Sequence, residues 1–383
     1  MKNLYKVTGT LCLFFISFFA YSQGCVAIRS ACGANVGGGV FLEKNQWQAG
    51  TNFRYFRSYR HFRGKHEETE RVENGTEVIN NSAFLDLQLS YGLTDRLSLN
   101  FVLPFVYHHR TSMYEHGGNP TGVDDSDTPD FDESTWQGDR NATVASGLAD
   151  IRFSASYWLF EPASKGNLSV GLGFKLPSGD YRAQDTFYNK GDNKDEEITA
   201  DVDQSIQPGD GGFGVTLDLQ GFYSLTDNIT LTSNFYYLSN PRESFEYTNF
   251  RGSTSDRSVP DQYAARLGAF YMTSIHGLGL YAGGRVEGVP SSDLIGGDEG
   301  GRRPGYAVSV EPGISYGMRN FSLNLTVPIA VERARTQSLS DKQTTSETGV
   351  FRNGDAAFAD YLINFGFTYR FGGQKPVIDF SEN

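Results

Sequence analysis

Apolar and polar residues alternate along residues 83–110 with a period of two. Leucine, phenylalanine and tyrosine take every second position on both sides of a short GLTD turn, and Asp86, Gln88, Ser98 and Asn100 lie among the alternate positions. Successive strand residues point to opposite faces, so the pattern predicts two hairpin strands with one apolar face. Hairpins of this kind occur both in soluble sheets and in transmembrane barrels.

Related hairpins recur along the chain. The segment YGLTDRLSL at residues 91–99 returns as YSLTDNITL at 223–231, and YGMRNFSLNLTVP at 316–328 is a third relative. Two further strand pairs follow the same plan, and internal repetition is a stronger signal than any single motif. Five hairpins, a first strand beginning at residues 47–55 and a last strand at 360–371 predict twelve strands with both termini on one side.

The connections between these strands alternate in length. Five predicted turns are short, whereas six connections on the opposite side are long and polar, including residues 63–78, 111–146 and 178–210. Short periplasmic turns and long extracellular loops are typical of outer-membrane barrels. The sequence therefore predicts an all-β protein, a transmembrane antiparallel up-and-down β-barrel of about twelve strands.

Prolines and aromatic residues cluster near predicted strand ends. Proline cannot donate to a ladder, so it is expected where pairing stops, at Pro104, Pro177, Pro241, Pro290 and Pro328. Aromatic side chains at the turn-side ends predict an interface girdle of Tyr91, Tyr157, Trp158, Tyr223, Tyr316, Tyr369 and Phe371.

The amino terminus predicts export. A basic start, an apolar stretch at residues 7–20 and small residues before Gln23 are typical of a secretory signal, with cleavage after Ser22. Together with the barrel pattern, this signal predicts the outer membrane of a Gram-negative bacterium. We divide the chain into a signal peptide (1–22), a glycine-rich amino-terminal segment (23–45), the barrel (46–371) and a carboxy-terminal tail (372–383).

Two cysteines, Cys25 and Cys32, remain after the signal. Export to an oxidising compartment favours a disulfide between them. Two free thiols, or a lipoprotein with Cys25 lipidated, are the alternatives.

The composition and net charge of the chain restrict which binding partners are expected. The chain has 44 glycines, 21 tyrosines, 29 phenylalanines and a formal net charge of −12. An acidic chain without a basic, aromatic stripe repels phosphate, so nucleic acid is not an expected partner. We expect outer-membrane lipid, a small organic solute and the barrel-insertion machinery during biogenesis as partners, and no cofactor.

If the apolar faces meet lipid, the alternate positions point into the lumen. These candidates are polar, with acids and bases nearly balanced: Arg54, Asp86, Gln88, Asn100, Asp150, Arg152, Lys175, Asp218, Gln220, Arg266, Arg285, Glu287, Glu311, Asn324, Glu332, Asp360 and Arg370. Such charges either bridge across and plug the lumen or line a narrow aqueous path, and the sequence leaves both open.

Other chemistry has weak support. His108, His109 and His116 lie beside the acidic residues 124–133, but neighbouring strand residues face opposite ways, so a solvated loop is favoured over a metal site. The acidic loops lack the spacing of an EF-hand. We predict that the protein is not an enzyme.

Three segments carry a resemblance to a known family: GLADIRFSASYWLF, LSVGLGFKLPSGDY and QPGDGGFGVTLDLQGFYSLTDNITL. They resemble the outer-membrane barrel family named for the MetA pathway of phenol degradation, over about residues 47–371. The resemblance implies transport of small, often aromatic or hydrophobic, compounds. The cysteine-bearing segment, the long acidic loops and the tail GGQKPVIDFSEN depart from it.

Three hypotheses of function follow. The first is a passive channel for small organic solutes. The second is a closed structural or surface-binding barrel that acts through its acidic loops. The third, less favoured, is a barrel hydrolase.

Overall fold

A computed structural model describes residues 41–118 and 139–373. These residues form nineteen strands, two helices and two short 3-10 turns. The strands are β1 (Gln46–Arg63), β2 (His66–Glu67), β3 (Ile79–Gly92), β4 (Leu97–Ser112), β5 (Asn141–Leu148), β6 (Arg152–Trp158), β7 (Gly166–Lys175), β8 (Gln184–Lys190), β9 (Glu196–Asp201), β10 (Gly214–Ser224), β11 (Ile229–Ser239), β12 (Ser244–Thr248), β13 (Thr254–Ser258), β14 (Gln262–Met272), β15 (Leu278–Val289), β16 (Gly305–Met318), β17 (Phe321–Thr326), β18 (Ile329–Arg335) and β19 (Ala356–Gly372). The helices are α1 (Glu70–Glu73) and α2 (Leu339–Thr348), and within the described residues no helix is long and apolar enough to cross a membrane.

The large sheet closes on itself. β1 pairs antiparallel with β3 on one side and with β19 on the other, so the first and last strands join. β5 and β6 both pair with β4 as one interrupted strand, and β17 and β18 both pair with β16 in the same way. Counted in this way, the barrel has twelve antiparallel strands, which confirms the predicted fold class.

The two strand interruptions coincide with prolines. Pro104 lies inside β4, opposite Asp86, and its carbonyl accepts the Ala149 N–H at 2.9 Å where β5 gives way to β6. Pro312 likewise accepts the Val327 N–H at 3.0 Å between β17 and β18. A strand residue directs its N–H and C=O to the same neighbour, so each missing N–H falls at the break.

The prediction that proline ends each strand is therefore wrong for two positions. Pro104 is interior to a strand, and Pro328 lies between two halves of one strand. Pro177, Pro241 and Pro290 do follow β7, β11 and β15.

The connections have the predicted asymmetry. The short turns are residues 93–96, 159–165, 225–228, 273–277 and 319–320, and the long connections are 64–78, 113–140, 176–213, 240–261, 290–304 and 336–355. We call these two ends of the barrel the turn end and the loop end. The long connections carry hairpins β8–β9 and β12–β13 and helix α2.

Several strands extend further towards the loop end than predicted. β1 continues to Arg63, and β5 begins at Asn141, inside the stretch predicted as an acidic loop. Polar residues predominate there, so the apolar alternation used for the prediction is weak, and hydrogen bonding to neighbouring strands extends the sheet.

Exposure alternates along the strands. In β3, Leu85, Leu87 and Leu89 are exposed, whereas Phe84 and Asp86, on either side of Leu85, are buried. A closed barrel whose outer face is a belt of exposed apolar side chains is a transmembrane barrel, because that belt is matched to hydrocarbon.

The predicted aromatic girdle is partly present. Tyr157, Tyr223, Tyr369 and Phe371 are exposed at the turn end. Trp158 is only 4% exposed, so its assignment to the girdle is wrong. The strand alternation directs its ring inward, where it contacts Phe41 at 4.5 Å.

Residues 1–40, 119–138 and 374–383 lie outside the described part of the chain. The signal peptide, the disulfide between Cys25 and Cys32, the acidic run and most of the tail therefore remain predictions.

The outer belt can be tested with two equally exposed residues. Leu267, near the middle of β14, is 67% exposed, and Val350, in the loop after α2, is 69% exposed. Replacing Leu267 with arginine should destabilise the barrel in lipid vesicles by roughly 2–4 kcal/mol, because an outward charge near the midplane faces hydrocarbon. Val350→Arg should leave the unfolding free energy in urea unchanged; equal effects would reject the membrane assignment of the belt.

Candidate functional site

The residues predicted to line the lumen are buried or half-buried in the structure. The structure buries Arg54, Asp86, Asp150, Lys175, Arg266, Arg285, Glu287, Glu311 and Asn324. It half-buries Gln88, Asn100, Arg152, Asp218, Gln220, Glu332, Asp360 and Arg370. The first group lies on the face opposite the exposed apolar belt.

Ion pairs join the buried charges on one wall. Arg266 donates two hydrogen bonds to Glu311, from Nε and Nη2, both at 2.9 Å. Arg285 donates to Glu287 from the same strand at 2.5 Å. A bidentate arginine–carboxylate pair fixes both side chains as well as compensating their charges.

The opposite wall is paired in the same way. Arg152 Nη2 lies 3.5 Å from Asp86 Oδ2, and Lys175 lies 3.6 Å from Asp150 and donates to Asp210. We call the whole set the ion-pair layer: Arg54, Asp86, Asp150, Arg152, Lys175, Asp210, Arg266, Arg285, Glu287 and Glu311. It contains five cations and five acids, so its formal charge is zero.

An apolar cluster lies on the loop side of this layer. Phe56, Phe84, Val106, Ala149 and Leu362 are buried together. The guanidinium of Arg54 lies 4.3 Å from the centre of the Phe84 ring, which adds a cation–π contact between layer and cluster. Sequence reasoning missed this cluster. Its signal was that Phe84 and Val106 are apolar residues at the alternate positions of their strands, where mostly polar residues occur.

A cavity of about 180 Å³ lies on the turn side of the layer, and we call it the turn-side cavity. Its polar lining is rich in hydroxyls and amides: Gln48, Asp86, Gln88, Ser90, Ser98, Asn100, Arg152, Ser154, Ser156, Ser169, Thr216, Asp218 and Gln220. Ser90 donates to Asn100 at 2.8 Å, and Asn100 donates to Ser156 at 3.2 Å.

The chain before β1 contributes to this cavity. Leu42 and Trp158 line it, and the Phe41 ring packs against Trp158 and against Phe222 at 5.9 Å. The backbone N–H of Lys44 donates to Asp95 in the first turn at 2.9 Å. These contacts hold residues 41–45 against the turn end of the barrel.

A second cavity, of about 220 Å³, lies at the loop end, lined by His61, Arg71, Val78, Arg110, Tyr114, Arg303, Asp355, Ala356 and Ala357. Its arginines are paired: Arg110 contacts Glu115 at 2.7 Å, and Arg303 donates to both Asp203 oxygens at 2.7 and 2.6 Å. The two arginines hold the pKa of Asp203 well below its usual range, although burial alone would raise it.

Two of the acids predicted to line the lumen, Glu332 and Asp360, form ion pairs outside the ion-pair layer. Glu332 is half exposed and pairs with Lys65 at 2.7 Å, and Asp360 pairs with Arg60 at 2.6 Å and with Arg333 at 2.7 Å. Register shifts in β1 and β16 beside these strands change which side chains share a face. Neither acid contacts the ion-pair layer. Arg370, nearer the turn end, donates to Gln48 at 3.1 Å.

One group of side chains near the loop end has the composition of a metal site. Ligand atoms of His61, Glu68 and Asp355 lie within 4.8 Å of one another. The Val78 N–H donates to His61 Nε2 at 2.9 Å, so the ring proton is on Nδ1, which contacts Asp355 at 2.8 Å. Arg71 contacts both carboxylates, at 2.7 and 3.2 Å, so the donors are occupied and the group is a hydrogen-bonded ion pair network.

The histidines considered in the sequence are not brought together. His108 is buried and lies 2.9 Å from Ser82 Oγ, a cross-strand pair that sequence reasoning missed. His109 faces the other side of the strand. His116 is buried against the rings of Phe187 and Tyr188.

Comparisons with known proteins bear on the fold. No family model and no curated protein matches the chain. A solved outer membrane channel from Pseudomonas putida F1 is 12% identical with a TM-score of 0.53, covering 86% of this chain and 97% of that chain. The β domain of the Bordetella autotransporter Brka is 14% identical with a TM-score of 0.46, covering 86% of this chain and 100% of that one.

The P. putida toluene transporter TodX is 12% identical with a TM-score of 0.41, covering 87% of this chain and 91% of that chain. At these identities a likeness concerns the fold and not the activity, and only the first TM-score is high enough to bear on the fold. It shows that this chain is similar in fold to a solved outer membrane channel.

The ion-pair layer can be tested by removing one partner. Glu311→Ala leaves the buried Arg266 without its carboxylate and should lower the unfolding free energy by about 3–5 kcal/mol. Glu161→Ala, which removes an exposed partner of Arg96 in the turn 159–165, should cost less than about 1 kcal/mol. Urea unfolding of the refolded barrel in vesicles measures both, and similar losses would show that the pair is not buried.

His116 predicts a pH dependence at the loop end. Burial lowers the pKa of His116 to about 4, whereas the unfolded value is about 6.5. The unfolded segment therefore takes up a proton first, and local stability should fall as pH drops from about 6.5 to 4 and be constant above. The protection factor of the Tyr188 N–H, which donates to His116, should fall over that range in the wild type and not in His116→Gln, once exchange rates are corrected for the intrinsic pH dependence of amide exchange.

Proposed function

We propose that this barrel is an outer-membrane channel for small organic solutes. The observation that carries the proposal is the turn-side cavity of about 180 Å³ inside a closed barrel with an apolar outer belt. The similarity in fold to a solved outer membrane channel supports it. The predicted export signal supports the outer membrane as its location.

Membership of the family named for the MetA pathway of phenol degradation is part of this proposal. It is supported by the glycine and aspartate segments at residues 147–160, 168–181 and 207–231. That resemblance favours small, often aromatic or hydrophobic, solutes.

The interior indicates how such a solute would move. Twelve strands enclose less space than an open porin, and the ion-pair layer and the apolar cluster occupy the centre. Passage requires side chains of the layer to change rotamer, while the barrel wall keeps its backbone hydrogen bonds. We therefore propose a gated passive channel, with the layer as its barrier.

A closed surface-binding barrel is the second candidate. It is favoured by the paired charges of the layer and by exposed apolar residues in the long connections, including Leu294, Ile295, Val350 and Phe351. This function needs no flux through the lumen, so transport measurements distinguish it from a channel.

The channel is tested by filling the turn-side cavity. Ser156 lines this cavity, and the adjacent Tyr157 is exposed on the outer face. Ser156→Phe should lower the uptake of small solutes into proteoliposomes to less than about a tenth, because a phenyl ring occupies the narrow lumen. Tyr157→Phe should transport as the wild type does.

The same vesicles without protein give the background rate. If the wild-type barrel shows neither solute uptake nor conductance in a planar bilayer, the channel is rejected and the surface-binding barrel is favoured.

A further inference from the structure

One carboxylate on the wall of the turn-side cavity has only neutral partners. Asp218 accepts hydrogen bonds from Gln220 Nε2 at 2.8 Å and from Asn234 Nδ2 at 3.4 Å. Among the described residues, no lysine or arginine forms an ion pair with it. Every acid of the ion-pair layer, by contrast, has a cationic partner.

The same region also holds acceptor oxygens without donors. Asp86 lines the cavity, is 4% exposed, and its Oδ1 has no hydrogen-bond partner in the described part of the chain. Asn234 Oδ1 is buried and likewise lacks a donor there. Both oxygens therefore retain the capacity to accept a hydrogen bond.

The charged residues that line the cavity do not balance one another. Asp86, Asp218 and Arg152 line it, which leaves one net negative charge. Arg54, Arg285 and Glu287 belong to the adjacent ion-pair layer, in which Arg285 donates to Glu287 at 2.5 Å. A desolvated carboxylate without a cation is costly, so the complementary ligand carries one positive charge and several N–H donors.

We propose that the turn-side cavity binds the ammonium group of a small organic amine against the Asp218 carboxylate. Asp86, the other carboxylate that lines this cavity, adds to its negative charge. The apolar part of the ligand lies against Leu42, Trp158 and Tyr236, which line the same cavity.

The size of the cavity limits this ligand. A cavity of roughly 150 Å³ holds benzene, so one of about 180 Å³ suits an amine with a short hydrocarbon chain. This inference rests on the proposed channel function, because it names the class of solute that the lumen would hold.

Equilibrium binding to the purified full-length barrel in detergent tests the site without requiring transport. By isothermal titration calorimetry, n-butylammonium chloride should bind saturably, and the neutral butan-1-ol should not, with empty micelles as the blank. Asp218→Asn keeps the shape of the side chain and removes its charge, so it should weaken butylammonium binding by about tenfold or more.

The matched control is Asp227→Asn. Asp227 is exposed in the turn of the same hairpin, so this variant has the same change in net charge and should bind as the wild type does. Unchanged affinity in Asp218→Asn, or equal affinity for butan-1-ol, would overturn the proposal. Displacement of butylammonium by an equal concentration of K⁺ would also overturn it, in favour of a metal-ion site.

Circular dichroism in the same detergent establishes whether Asp218→Asn keeps its strands. If that variant does not fold, the comparison of butylammonium with butan-1-ol in the wild type still tests whether the cavity binds an ammonium group. Binding without flux would reject the channel and retain the site, whereas flux without saturable binding would reject the site and retain the channel.

Discussion

Closure of the barrel by the pairing of β1 with β19 is the constraint on which the rest of the structure depends. In hydrocarbon an unpaired backbone N–H or C=O costs several kcal/mol, so a spanning sheet is stable only without edges. The ladder between the first and last strands runs from Gln46 opposite Gly372 to Phe62 opposite Ala356. Because it joins the two ends of the sheet, it also determines which side chains face lipid and which are enclosed.

Enclosure in the barrel requires the inner polar groups to find partners within the protein. Polar residues on the inner face leave bulk water, and most of the charged ones meet an opposite charge, as Arg266 does with Glu311. The ion-pair layer and the Phe56–Phe84 cluster divide the interior into a turn-side and a loop-side cavity. Asp218 is an exception to this pairing, and its position on the cavity wall gives it a functional interest that burial alone would not.

Strand interruptions show how local sequence and global closure interact. Pro104 and Pro312 each remove a donor from a ladder, and the neighbouring strand is broken at that point. The barrel continues around both breaks because β4 and β16 are paired along the rest of their length. Proline positions read from sequence indicate a change in pairing without distinguishing a strand end from an interruption.

The sequence by itself determined the fold class, the strand number and the alternation of short and long connections. Period-two patterning and repeated turn segments are local features of the chain, so they can be recognised without knowing how the strands pack. Arg54, Asp86 and Arg285 were among its lumen candidates, and all three are buried in the structure. Only the tertiary structure decided which of these pair, that Trp158 faces inward, that Glu332 and Asp360 lie apart, and that Asp218 lines a cavity. Those outcomes depend on strand register, bulges and contacts between residues far apart in the chain, which no local pattern encodes.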